Sequence, residues 1–165
     1  MGGRRRLACS ILLTTLIQGC AGLRTESVRV SDQIDDGDAA HRASMLLVVQ
    51  GLEADTNFEP DMARDLYQRA LQVDPMNAYA YLAIARHRVD GTNPSSALSF
   101  IDKASALFEA QGSLTPGVEA HLAGLRGAAL LASGQRDEAL PLLGRAHDLA
   151  PLVWSDGRLD AEELR

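Results

Sequence analysis

The 165-residue sequence predicts an all-α fold, a short array of three helical hairpins, and three observations carry that prediction. Hydrophobic residues make up 46% and charged residues 23%, the balance of an ordinary folded protein, yet aromatics are only 4% and Ala and Leu dominate the apolar set. Ala and Leu lose little rotamer freedom in a helix, whereas strands draw on β-branched and aromatic residues. From residue 40 onward apolar residues recur at three- and four-residue spacing, with Pro and Gly where such runs begin and end. One set of spacings also returns along the chain, which marks an internal repeat.

The elements follow in order. Ala43, Leu46, Leu47, Gln50, Gly51 and Ala54 share one face of a first helix. Asn57 to Asp61, with Pro60, turns the chain into a second helix, because Pro suits the first helical turn, where its missing N–H is no loss. That helix runs to Asp74 and Pro75 stops it. A third helix covers about 78–89, and Gly91-Thr92-Asn93-Pro94 leads into a fourth over about 95–109. The stretch 111–115 is a loop, Thr115 and Pro116 open a fifth helix, Gly134 ends it, and a sixth extends to Ala150 before Pro151. Short loops within each pair make the partners antiparallel.

Gly51, Ala63, Tyr67, Ala70 and Pro75 are separated by 12, 4, 3 and 5 residues, and Gly127, Ala139, Leu143, Ala146 and Pro151 repeat those separations. A middle copy, offset by 34, reads Ala85, Ala97, Ile101 and Ala104, with Glu109 in the proline position. This pattern resembles the tetratricopeptide repeat (TPR) family, and the stretch LYQRALQVDPMNAYAYLAIA is especially similar to the family's repeat junction. The resemblance implies a short right-handed solenoid of about three TPR-like helix-turn-helix repeats, at 40–77, 78–111 and 112–153, with residues 154–165 as a capping helix. Small residues let the helix axes approach closely, while Tyr67, Ile101 and Leu143 plug the spaces between pairs. The third copy is offset by 42 because of an extension through Gln111-Gly112-Ser113-Leu114, and Pro141 is expected to kink or delay the sixth helix. With only Ala123 where the earlier pairs carry Leu47 and Tyr81, the third pair is expected to be the loosest. Trp154 is expected to pack beneath the cap.

The N-terminus carries a different signal. Three consecutive arginines, Arg4 to Arg6, precede an almost wholly apolar run over 7–17. That is a signal-peptide layout, and the run is too short to span a bilayer, which needs ~20 apolar residues. Ile17-Gln18-Gly19-Cys20 resembles the lipobox of bacterial lipoproteins. The resemblance implies a signal peptide at 1–19, cleavage after Gly19, and lipidation of Cys20 on its thiol and new amino group. Ile17 and Gln18 depart from the commonest residues, and the competing reading is a secretory signal cut a few residues later. Buried acyl chains contribute ~0.8 kcal/mol per methylene, so several of them hold a protein on a membrane. Ala21 rather than Asp after the cysteine implies, by family analogy, an outer membrane facing the periplasm. Residues 20–39, with Asp32, Asp35, Asp36 and Asp38, read as a flexible acidic tether.

Chemistry-bearing motifs are sparse. The formal charge is −6, and −9 once Arg4 to Arg6 are set aside (13 basic against 22 acidic residues), so no basic face invites nucleic acid. Both cysteines fall in the first 20 residues, which leaves no disulfide framework or cysteine metal site beyond them. No phosphate loop, nucleophile elbow or zinc-binding His pair occurs, and His41, His87, His121 and His147 are dispersed. The reading is therefore a binding protein with no cofactor and no catalytic residues. By the family resemblance, a partner groove is expected along the first helix of each pair, at Met45, Val48, Leu52, Tyr79, Leu82, Arg86 and His121, with Gly124 and Ala128 beside them. The expected function is a lipid-anchored adaptor or scaffold of the bacterial cell envelope that holds a protein partner. The alternatives are a self-associating structural lipoprotein, or a ligand-binding protein or enzyme whose site assembles only in space.

Overall fold

The computed structural model describes residues 28–165. The signal segment, Cys20 and the first part of the expected tether lie outside them. Among the described residues there are seven α-helices and no strand: α1 (Ala39–Thr56), α2 (Pro60–Val73), α3 (Ala78–Val89), α4 (Ala97–Ala110), α5 (Pro116–Ala132), α6 (Arg136–Leu149) and the single turn α7 (Ala161–Leu164). Short 3-10 turns, Val30–Gln33 and Pro94–Ser96, precede α1 and α4.

Local sequence explains where these helices begin. Asp38, Asn77 and Thr115 each accept a hydrogen bond from the backbone N–H three residues on, which satisfies a first-turn donor that has no intrahelical partner. Pro60 and Pro116 occupy the first helical position of α2 and α5. Gly112 and Gly134, at φ +66° and +83°, close α4 and α5 in the left-handed region that glycine adopts without a Cβ clash.

The helices pack as three hairpins, α1 with α2, α3 with α4 and α5 with α6, and each first helix also touches the first helix of the next pair. Glycine sets the approach within two of the hairpins. A Cβ at Gly51 would fall 2.7 Å from Cδ1 of Tyr67, and one at Gly127 would fall 2.8 Å from Cγ of Leu143. The small residue thus receives the bulky side chain of its own hairpin directly, where the repeat pattern assigned that side chain to the space between pairs. Ala63, Ala70, Ala97, Ala104, Ala139 and Ala146 are all fully buried on the second helices.

Several expectations need correction. The third pair is not the loosest, because α5 and α6 make the most extensive contact of any two helices. Gly127 brings them close enough to compensate for the small Ala123. Pro141 neither delays nor breaks α6, which starts at Arg136 and continues to Leu149. Pro141 is exposed, so the carbonyl deprived of its donor can be solvated. On α1 the buried face is Ser44, Met45, Val48, Gly51, Leu52 and Ala54, while Ala43, Leu46 and Gln50 are exposed. The tether reading is overturned for residues 28–34: Val30 is fully buried and Ile34 packs on the core. Apolar Val30 and Ile34 outweigh the solvation of the acidic residues around them.

Burial is unevenly distributed. In α5, 11 of 17 residues are buried and in α3, 7 of 12, against 3 of 14 in α2 and 2 of 14 in α6. The second helices therefore face solvent on one side, while α3 and α5 are covered on both. Ala70→Glu or Ala146→Glu should each cost on the order of 3 kcal/mol, because an unpaired carboxylate is forced into a close helix contact. Gln68→Glu, at an exposed position, should stay within about 0.5 kcal/mol of the parent. Urea unfolding of the three variants checks this, and equal midpoints would contradict the packing described.

Candidate partner groove and its polar floor

The second cover over the first helices is the chain's own ends. After α6 the chain turns back and residues 150–165 cross α5, α3 and α1 in that order. Trp154 lies against α5, where a Cβ at Gly124 would collide with its indole and where its ring centroid sits 6.4 Å from that of His121. Arg158 then reaches Asp90, at the end of α3, with Nη2 donating to Oδ1 at 3.3 Å. The turn α7 packs on α1, and Leu159, Ala161 and Leu164 are buried. Beside this tail runs residues 28–34. Ser31 N–H donates to the Arg165 backbone oxygen at 2.8 Å, and the Val28 carbonyl accepts from Nε2 of His121 at 3.1 Å.

Beneath the crossing point lies a polar cluster. Asp55, near the end of α1, has a side chain only 6% exposed, and Arg86 of α3 only 7%. Arg86 Nη2 donates to Asp55 Oδ2 at 2.6 Å and its Nη1 to Asp90 Oδ2 at 3.1 Å. Tyr67 Oη of α2 donates to the same Asp55 oxygen at 2.8 Å, and His87 Nδ1 meets Oδ1 at 2.8 Å. An ionised carboxylate can only accept, so Nδ1 is the protonated nitrogen of His87 in this contact. Burial by itself would raise the Asp55 carboxyl, but the His87 hydrogen bond, the Arg86 guanidinium and the Tyr67 hydroxyl outweigh it and hold the group below its ordinary range. The Tyr67 phenol moves the other way, raised by burial and by the Asp55 charge. Arg86 Nε, His121 Nδ1 and Trp154 Nε1 are buried without a hydrogen-bond partner among the described residues.

A pocket of about 660 Å³ opens over this cluster, floored by Asp55, Arg86 and His87 and walled on one side by Arg158 and Ala161 of the tail. Phe58 stands at its edge, 92% exposed, with φ at +60°. Bulky residues rarely occupy the left-handed region, and such strain concentrates at working surfaces. The turn holds it there through Phe58 N–H to Asp55 O and Glu59 N–H to Ala54 O, at 3.1 and 2.9 Å.

The expected groove residues do share this face, but it is not open to solvent. Met45, Val48, Leu52, Leu82 and His121 are fully buried and Arg86 nearly so. That expectation is corrected, because the tail and residues 28–34 lie over them. Tyr79 is half-buried, edge-on to Phe108 with centroids 4.9 Å apart, and its phenol is pushed up to about 12 by burial and by the Asp36 carboxylate. Gly124 lies beneath the same cover, as the seat of Trp154, while Ala128 is partly buried. The last twelve residues, expected to cap the final hairpin, instead reach back to the first. Sequence reasoning missed Asp55, Asp90 and Phe58. A signal for Asp55 existed: it lies four residues after Gly51, on the inward face of α1, and a buried Arg86 requires an acidic partner. Among the described residues no group of three or more His, Cys, Asp or Glu is placed to hold a metal ion. No family model, no curated protein and no solved structure matches the chain.

Two outcomes follow from this site. Asp55→Asn should destabilise by about 3–5 kcal/mol, because it strips a buried guanidinium of its main counter-charge, whereas Asp102→Asn, in an exposed pair with Arg126, should cost no more than about 1 kcal/mol. Chemical denaturation of both variants distinguishes them, and similar losses would mean that Asp55 is not the buried anchor. His121 is held neutral: burial lowers its pKa, only partly opposed by the Val28 carbonyl. An unfolded His takes up its proton near pH ~6.5 while the folded one does not, so the unfolded state binds more protons below that pH. Stability should therefore fall as pH drops from about 6.5 toward the folded value, by at most about 1.4 kcal/mol per unit from this group. Melting curves between pH 7 and 5 should show a smaller decline for His121→Gln, and an unchanged decline would remove His121 as its source.

Proposed function

We propose that this chain is a membrane-anchored lipoprotein with a TPR-like solenoid, acting as a protein-binding adaptor or scaffold in the bacterial cell envelope. The observation that carries the reading is the tail itself. An irregular peptide lies across three neighbouring first helices and seats an indole, an arginine and aliphatic side chains on them. A face with those seats has the form needed to receive an extended segment from another protein. The three hairpins, with each first helix against the first helix of the next pair, support the repeat assignment. Among the described residues no helix is long and apolar enough to cross a membrane, and in this reading attachment comes through lipidated Cys20.

A self-associating lipoprotein is the second reading, favoured by one specific observation. Phe58, Met62, Leu152 and Leu140 are large apolar side chains left exposed on the described surface. The two readings share the anchor, which is tested first. In cells fed an alkyne fatty acid, the full chain should take up label at Cys20 and fractionate with membranes, while Cys20→Ala should lose the label and leave an uncleaved or mis-cleaved precursor. Equal labelling of the variant would remove the lipoprotein reading. A photo-cross-linker at Phe58, on the pocket edge, should give a band with a second protein that one at Asp65, on the exposed side of α2, does not. Identical bands from both positions would remove the adaptor reading.

A further inference from the structure

The tail also defines the chemistry of what the groove binds, an inference that rests on the adaptor reading. We propose that the α1–α3–α5 face docks an extended partner segment carrying a large aromatic residue, an arginine four residues later and aliphatic residues beyond it, and that residues 150–165 hold this face in cis until such a segment displaces them.

The spacing is that of the tail. Trp154 occupies the seat that Gly124 leaves open, Arg158 pairs with Asp90, Leu159 is buried, and Leu164 is buried on the turn that packs against α1. Gly124 is specific to this use, since any side chain there would meet the indole. The arginine seat is one of charge: Asp90 is half-exposed, and while its Oδ2 accepts from Arg86 its Oδ1 takes the guanidinium that crosses the face.

The tail is held by buried side chains, Trp154, Leu159, Ala161 and Leu164, rather than by continuous backbone pairing with the body. From Ala150 to Asp160 it has no regular structure, and its backbone bonds there are local turns. Its polar ties to the body are the exposed Arg158–Asp90 pair and the single Ser31–Arg165 bond. Leu152, 91% exposed, stands at the hinge where the chain leaves α6. The three buried nitrogens without partners, Arg86 Nε, His121 Nδ1 and Trp154 Nε1, all lie along the seam between tail and body. Beside the tail a pocket of about 660 Å³ extends over Arg86, with the Phe58 ring exposed at its edge. A partner segment that fills this pocket and brings an acceptor to Arg86 makes contacts that the tail does not, and can therefore displace it.

Two measurements on the full chain test this. In native-state hydrogen exchange, the amides of Gly157, Leu164 and Arg165 should exchange about ten-fold faster or more than those of α3 and α5, through an opening that leaves the hairpins protected. Exchange of the tail only with global unfolding would make it part of the core and overturn the proposal, and this reading needs no variant to fold. A fluorescent peptide with the sequence of residues 151–165 should bind the Trp154→Ala chain about ten-fold tighter or more than the parent, since cis occupancy lowers apparent affinity by the fraction of open face. The same peptide with Ala at its tryptophan should bind neither. No binding by the folded variant, or equal binding by both chains, would overturn it. A dimer that forms with concentration and dissociates on adding the peptide would assign the face to the tail of a second copy and likewise overturn the claim of a separate partner. Neither measurement involves Cys20 or a membrane, so failure here leaves the anchor reading intact, and loss of the anchor reading leaves these outcomes unaffected.

Discussion

The α3 and α5 helices have almost no solvent face, and the rest of the architecture answers to that constraint. A helix apolar on most of its circumference must be covered all round. In α3 the run from Ala78 to Ile84 is polar only at its tyrosine hydroxyls, and in α5 the stretch from Val118 to Leu131 carries only Glu119, His121 and Arg126 as polar side chains. The second helices cover one side. The other side would lie open in three hairpins alone, and the segments at 28–34 and 150–165 cover it. Both ends of the described chain therefore converge on one face, joined by the Ser31–Arg165 hydrogen bond.

Cover by an irregular segment differs in kind from cover by a helix. A helix satisfies its own backbone, whereas a crossing peptide presents N–H and C=O groups that must find partners locally. The tail does this with turns and with the capping box at Asp160 and Glu163, and side chains make most of its connection to the body. Its buried apolar surface is concentrated in a few side chains, Trp154, Leu159, Ala161 and Leu164.

The Asp55 cluster bears on the same question from below. It joins α1, α2 and α3 through one carboxylate and takes a charged arginine out of water next to the tail crossing. Buried ion pairs add little net stability but punish the loss of either member. Here the pair fixes the ends of α1 and α3 relative to each other, and with them the pocket floor and the Phe58 turn. Asp90 connects this floor to the tail through Arg158.

Helix order and most helix ends were legible in the sequence, because local rules decide them: Thr115 as a cap, Pro60 and Pro116 at helix starts, Gly134 at a helix end; Asp38, read as part of a tether, instead caps α1. The small–large alternation at Gly51 and Tyr67, and at Gly127 and Leu143, was legible too, since close helix approach leaves a spacing in the chain. The face lined by Met45, Val48, Leu52, Leu82, Arg86 and His121 was also identified, though as an open groove. Only the tertiary structure decided that it is filled. Periodicity states which residues share a side of a helix but not what lies against that side. An irregular segment such as 150–160 has no period from which its destination can be read. The same reason hid the Asp55 cluster, whose members stand 12, 31 and 32 residues from Asp55 and meet only once three helices have packed. Local chemistry sets the elements; where residues distant along the chain meet depends on the packing of the whole.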